Sequence, residues 1–148
     1  MVPEFPLKKD ADFQSTNVDH LLYRRGDAAG TRAAWILFEL KTEVNSCNDL
    51  QIATYKSALD LGMPRLLNAL GLIANSPHAS PKYSAMPKLG GYPPGAPIEL
   101  VYLAPCRKNF PDRRMRSVTF RDLEGLELTE YQEVWDIFRT IVLPALRG

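Results

Sequence analysis

Two acidic residues and a lysine near the start of the chain have the types and spacing that metal-assisted chemistry requires. Asp19 lies in one apolar run, and Glu39 and Lys41 end the next. Two carboxylates, with a backbone carbonyl such as that of Leu40, are oxygen ligands that suit Mg²⁺ or Mn²⁺. A lysine beside such a metal can orient a water or neutralise charge that develops on a phosphate. The pattern therefore favours a metal-dependent reaction on a phosphate ester.

A Gln-x-x-x-Tyr motif, formed by Gln51 and Tyr55, follows these residues. Residues four apart on a helix share a face, so we expect the amide and the phenol to project together. The helix begins soon after the strand that carries Glu39, so the motif can position a scissile phosphate or a nearby base. Taken singly, each signature has a plainer interpretation as a solvated strand face, a polar helix stripe or a turn carboxylate.

Hydrophobic patterns predict the elements that position these side chains. Four strands are predicted, at residues 18–23, 34–41, 98–103 and 117–120. The run 34–41 is apolar on both faces until its last residues, which is typical of a central strand covered by helices. Capping signals and apolar periodicity predict helical segments at residues 48–61, 65–74 and 129–145. The predicted fold is α/β, a mixed central sheet flanked by helices in the order β-β-α-β-β-α.

The bulk composition fits one soluble domain over residues 1–148, with an extended arm at 1–16 and a Pro-rich loop at 76–97. The net charge is only +1, so attraction to nucleic acid must come from a local patch. The two cysteines form no CxxC motif, and no apolar run reaches the length of a signal peptide or membrane span. We therefore expect a cytoplasmic protein with reduced thiols and no membrane partner.

The three signatures, in order, resemble the PD-(D/E)xK nuclease superfamily, and the Gln-x-x-x-Tyr helix resembles its exonuclease-type branch. The resemblance covers residues 17–55 by motif, with Val18 where the family's proline often stands. It implies a restriction-endonuclease-like fold and Mg²⁺-dependent cleavage of DNA. By the same resemblance, Asp19 and Glu39 bind the metal, Lys41 is the catalytic lysine, and Gln51 and Tyr55 act on the substrate side.

The resemblance also implies a helix before Asp19, often with another acidic residue. Glu4 is the only early glutamate, and Pro3 and Pro6 beside it predict extended chain. We therefore expect that the usual N-terminal helix is missing, that a second copy in a homodimer or another partner supplies it, or that the metal site is incomplete.

A run of basic residues after the third strand indicates a surface for the nucleic-acid backbone. Its members are Arg107, Lys108, Arg113, Arg114 and Arg116, with Arg121 close by and Asp112 as the one acid among them. The plainer alternative is a solvated loop whose charge protects an edge strand.

The leading hypothesis is therefore a Mg²⁺- or Mn²⁺-dependent nuclease that hydrolyses DNA. The alternative is a nuclease-fold protein that does not cut and instead binds nucleic acid or a protein partner. A third option is an assembly module that dimerises through its last amphipathic helix.

Overall fold

The computed structural model describes residues 2–7, 17–43, 49–74, 92–124, 136, 138–142 and 144. The strands of these residues are β1 Val2–Pro6, β2 Asn17–Arg24, β3 Ala34–Leu40, β4 Ile98–Ala104 and β5 Met115–Thr119. They form one sheet in the order β1-β2-β3-β4-β5. Strand β2 is antiparallel to both of its neighbours, whereas β3, β4 and β5 are parallel to one another. The predicted α/β class with a mixed sheet is confirmed.

The strand directions bring several chain segments to one end of the sheet. The last residues of the parallel strands β3, β4 and β5 meet there, and so does the start of the antiparallel β2. We call this the carboxyl end of the sheet. Asp19, Glu39 and Lys41 all belong to it, because Asp19 is near the start of β2 and the other two are at the end of β3.

Helices α1 (Asp49–Leu61) and α2 (Met63–Ala74) connect β3 to β4. Gly62 separates them with a φ of +76°, a conformation that side chains disfavour, and its N–H bonds to the carbonyl of Ala58. A short helix α3 (Phe120–Glu124) follows β5 directly, and Phe138–Val142 form a π-helical turn. None of the described helices is long and apolar enough to cross a membrane.

The main core lies between one face of the sheet and helices α1 and α2. Alternate residues of the central strands face it, so Trp35 and Leu37 of β3 pack with Leu100 and Tyr102 of β4. Helical residues Tyr55, Leu59, Met63 and Leu66 complete this layer. A smaller cluster on the opposite face joins Leu103 and Phe120 to Phe38, Val118 and Leu123. The central strands are thus covered on both faces, which explains their nearly continuous apolar sequences.

Several boundaries differ from the sequence-based expectation. Strand β1 lies in the segment predicted as an extended arm, so the predicted order lacks this strand. Pro3 and Pro6 are tolerated because β1 pairs only with β2 among the described residues and lies at an edge. The predicted helix at 129–145 and the first part of the Pro-rich loop fall mostly outside the described residues.

Candidate metal centre

The two candidate metal ligands meet where the β2–β3 ladder ends. Its last backbone pair joins His20 to Phe38. Beyond that pair, the N–H of Asp19 donates to Oε2 of Glu39 at 3.3 Å. The N–H of Leu40 donates in return to Oδ2 of Asp19 at 2.6 Å. Carboxylate side chains thus replace backbone carbonyls as acceptors, and this exchange holds the two acids side by side.

Glu39 is the one charged residue buried among those the structure describes, with 3% of its surface exposed. Its Oε1 atom lies 2.6 Å from Nζ of Lys41, whose side chain is 19% exposed. A buried carboxylate is costly unless it is paired, and this ion pair supplies the partner. The N–H of Lys41 also donates to the carbonyl of Leu103 at 2.8 Å, which fixes the backbone beyond the end of β3.

The carboxylates of Asp19 and Glu39 would suit a divalent cation that keeps several waters, rather than one coordinated entirely by protein ligands. No group of three or more His, Cys, Asp or Glu side chains with metal-binding geometry occurs within the described ranges. Mg²⁺ is commonly held by one or two carboxylates and keeps several waters, and Asp19 and Glu39 offer that number. Leu40, whose carbonyl the sequence offers as a third ligand, lies beside Asp19 through its amide.

Among the described residues before Asp19, Glu4 is the acidic residue that could supply the additional carboxylate that the family resemblance implies. The β1–β2 register pairs Pro3 with His20 and Phe5 with Val18, so Glu4 lies across from Asp19. Glu4 is exposed and has a φ of +47°, which breaks the regular alternation of the strand. The strand registers thus place the backbone of Glu4 in one row with the backbones of Asp19 and Glu39.

The two residues of the Gln-x-x-x-Tyr motif differ in exposure. Both belong to α1, on the side of the sheet that Glu39 faces. Tyr55 is completely buried within the main core, so its ring packs rather than lines a surface. Gln51 is half-buried in the first turns of α1 and is the better placed of the two to reach a substrate.

The basic residues do not form one patch. Arg107 follows β4 at the carboxyl end of the sheet, where its Nη2 atom bonds to both oxygens of Asp122. Arg113 and Arg114 precede β5 and therefore lie at the opposite end. The backbone N–H of Lys108 bonds to Oγ of Ser117, and Arg116 is exposed on β5.

Arg114 is held by the fold. Its guanidinium bonds to Asp112, to Asp60 and to the carbonyl of Leu59, so it joins the start of β5 to the end of α1. The hydrogen bonds from Arg114 lower the pKa of Asp112 to about 2. The same bonds, from Asp112 first and then Asp60, raise the pKa of Arg114. This geometry favours a structural role for Arg114.

A capping box that the sequence analysis does not predict lies at the start of α3. The N–H of Thr119 donates to Oδ2 of Asp122, and the N–H of Asp122 donates to Oγ1 of Thr119. This is a capping box at the start of α3, and the spacing Thr-x-x-Asp was its signal. These bonds from Thr119, supported by the charge of Arg107, lower the pKa of Asp122.

Comparison of the chain with protein-family models, with curated proteins and with solved structures gave no match.

Proposed function

We propose that this protein is a metal-dependent nuclease that hydrolyses phosphodiester bonds of DNA. The observation that carries the proposal is the contact of Asp19, Glu39 and Lys41 at the carboxyl end of the sheet. Asp19 is distant in sequence from the Glu39–Lys41 pair. Side-chain contacts in the fold join the three residues. The order of motifs that resembles the PD-(D/E)xK superfamily supports the same reaction.

In this proposal, Asp19 and Glu39 hold Mg²⁺ or Mn²⁺. The bound cation would polarise the phosphate and favour ionisation of a water. Lys41 already has its ammonium at the carboxylate of Glu39. From there it can donate a hydrogen bond to the attacking water or to a phosphate oxygen. Gln51 positions the substrate strand, while the buried Tyr55 positions α1.

The test is cleavage of linear, circular and single-stranded DNA with Mg²⁺ or Mn²⁺. Lys41→Ala should reduce turnover by about 10²-fold or more, because it removes a donor that acts in the transition state. Lys41→Arg keeps a cation beside Glu39 and therefore serves as the variant that retains the compensating charge. The matched control is Lys56→Ala, since Lys56 pairs with Asp60 on the exposed side of α1. Absence of products from the unaltered protein with both metals would refute the proposal.

A second function, binding of nucleic acid or a protein partner without cutting, is favoured by one observation. Both oxygens of Glu39 and one oxygen of Asp19 already accept bonds from protein groups. A site whose acceptors are satisfied internally has less to offer a metal. For nucleic acid, steeply salt-dependent filter binding without products would support this function. Cleavage that disappears in Lys41→Ala and persists in Lys56→Ala would exclude it.

A further inference from the structure

A groove of about 570 Å³ lies at the carboxyl end of the sheet, where β4 and β5 end. Its lining includes Arg107 from the segment after β4, Thr119 at the end of β5, and Arg121 and Asp122 from α3. We call it the basic groove. It is a second feature at the same end of the sheet as Asp19, Glu39 and Lys41, and none of those three residues lines it.

The register gives the separation between the groove and the metal centre. Leu40 pairs with Leu103, and Ala104 pairs with Thr119, so Lys41, Ala104 and Thr119 form one row across three strands. Neighbouring strands are roughly 4.8 Å apart, so Lys41 and Thr119 are about 10 Å apart along this row. Phosphates of one DNA strand are spaced by about 3.4 Å along the helix axis. A strand cut beside Lys41 could therefore place a phosphate about three positions further along at the groove.

The charges of the groove suit an anionic backbone. Asp122 accepts hydrogen bonds from the amide of Thr119 and from Arg107, so the Arg107–Asp122 pair has no net charge and the positive charge of the groove comes from Arg121. Arg121 is exposed and makes no hydrogen bond or ion pair with any described residue. Of the groove's two arginines, one is thus held in place and the other is available to a ligand.

We propose that the basic groove binds a phosphate of the substrate strand about three positions from the phosphate that is cut, with Arg121 as the main contact and Arg107, held in place by Asp122, as a second hydrogen-bond donor. The inference rests on the proposed function for the identity of its ligand. Of the basic residues that the sequence predicts as a nucleic-acid surface, it assigns the contact to those at the carboxyl end of the sheet. Arg113 and Arg114 are excluded from this contact because they lie at the opposite end.

The experiment measures binding of labelled single-stranded and duplex DNA at several salt concentrations. Chelator keeps the protein free of divalent cations, so that binding is read without cleavage. Arg121→Gln should make the slope of log affinity against log salt shallower by about 0.9 for duplex or about 0.7 for a single strand. Arg121→Lys should keep the slope. The matched control is Arg113→Gln, an exposed arginine at the far end, and it should leave the slope unchanged.

The outcomes separate this inference from the proposed function. If the unaltered protein cuts DNA but Arg121→Gln binds with the same slope, the groove is not a phosphate site although the nuclease proposal stands. If Arg121→Gln loses one unit of slope but nothing is cut with either metal, the groove binds the backbone and the nuclease proposal fails. Equal losses in Arg121→Gln and Arg113→Gln would also overturn the inference, because they would indicate a diffuse field.

Discussion

The Oε1 atom of Glu39 lies 2.6 Å from the Nζ atom of Lys41, two positions further along the same chain. The charge of the buried carboxylate is thus compensated by its near neighbour in sequence. Because residues two apart on a strand share a face, the Glu-x-Lys motif supplies both the buried carboxylate and the ammonium that compensates its charge. The same pair has consequences for stability that can be measured apart from any activity.

Lys41→Met is expected to lower the free energy of unfolding by about 3 kcal/mol, because it leaves the Glu39 carboxylate buried without its cation. The double variant Glu39→Gln/Lys41→Met should recover much of that loss. Urea denaturation of both single variants and the double variant gives the coupling energy between the two side chains. Strictly additive effects would mean that the ion pair does not stabilise the fold.

Tyr55→Ala is expected to lower the free energy of unfolding by about 3–5 kcal/mol, because it removes a completely buried ring from the main core. Gln51→Ala should cost less than about 1 kcal/mol, as the half-buried side chain is near the surface. Thermal melts of the two variants make the comparison. A mild effect of Tyr55→Ala together with a large loss of DNA cleavage would instead assign Tyr55 to substrate binding.

Arg114→Met is expected to lower the free energy of unfolding by roughly 1–2 kcal/mol. The reason is that Arg114 bridges α1 and the start of β5 through Asp60, Asp112 and the carbonyl of Leu59. The control is Arg113→Met, the exposed neighbour, for which we expect almost no change. Guanidinium denaturation at moderate protein concentration distinguishes them, and equal midpoints would show that the bridge contributes nothing.

Acid should weaken the same bridge. The pKa of Asp112 is about 2 in the folded protein, below the value of about 3.9 in an unfolded chain. A lowered pKa means that the stabilisation is complete above about pH 4 and is lost as the pH falls towards about 2.

The measurement compares urea midpoints of the unaltered protein and of Arg114→Met at about pH 5 and about pH 2.5. The difference between the two proteins should shrink at the lower pH. A difference that stays constant would show that Asp112 does not depend on Arg114 for its ionisation.

The central strands and their acidic tips were predictable because the signal is local. The apolar run that became β3 is nearly continuous and has the length of a strand, as expected for a strand covered on both faces, and its polar end placed Glu39 and Lys41 on one face. The short connection from β2 then brought Asp19 alongside. The sequence does not predict that the N–H of Asp19 donates to Glu39 and the N–H of Leu40 donates to Asp19, because these bonds depend on where the β2–β3 ladder ends.

The basic residues show the opposite case. Arg107 and Arg114 are near each other in sequence, but the chain between them runs the length of the sheet, so they end at opposite ends. Asp60, which binds Arg114, is distant along the chain, and no local pattern links the two. The strand β1 was also missed, because prolines lower strand propensity and only its edge position makes them acceptable.

The parallel arrangement of β3, β4 and β5 also bears on how such a protein can diversify. Segments that leave these strands all emerge on one rim of the sheet. Insertions or exchanges after Lys41 or after Ala104 can therefore reshape what the rim recognises while the scaffold stays unchanged. Variation in ligand choice should accumulate there first, at little cost to folding.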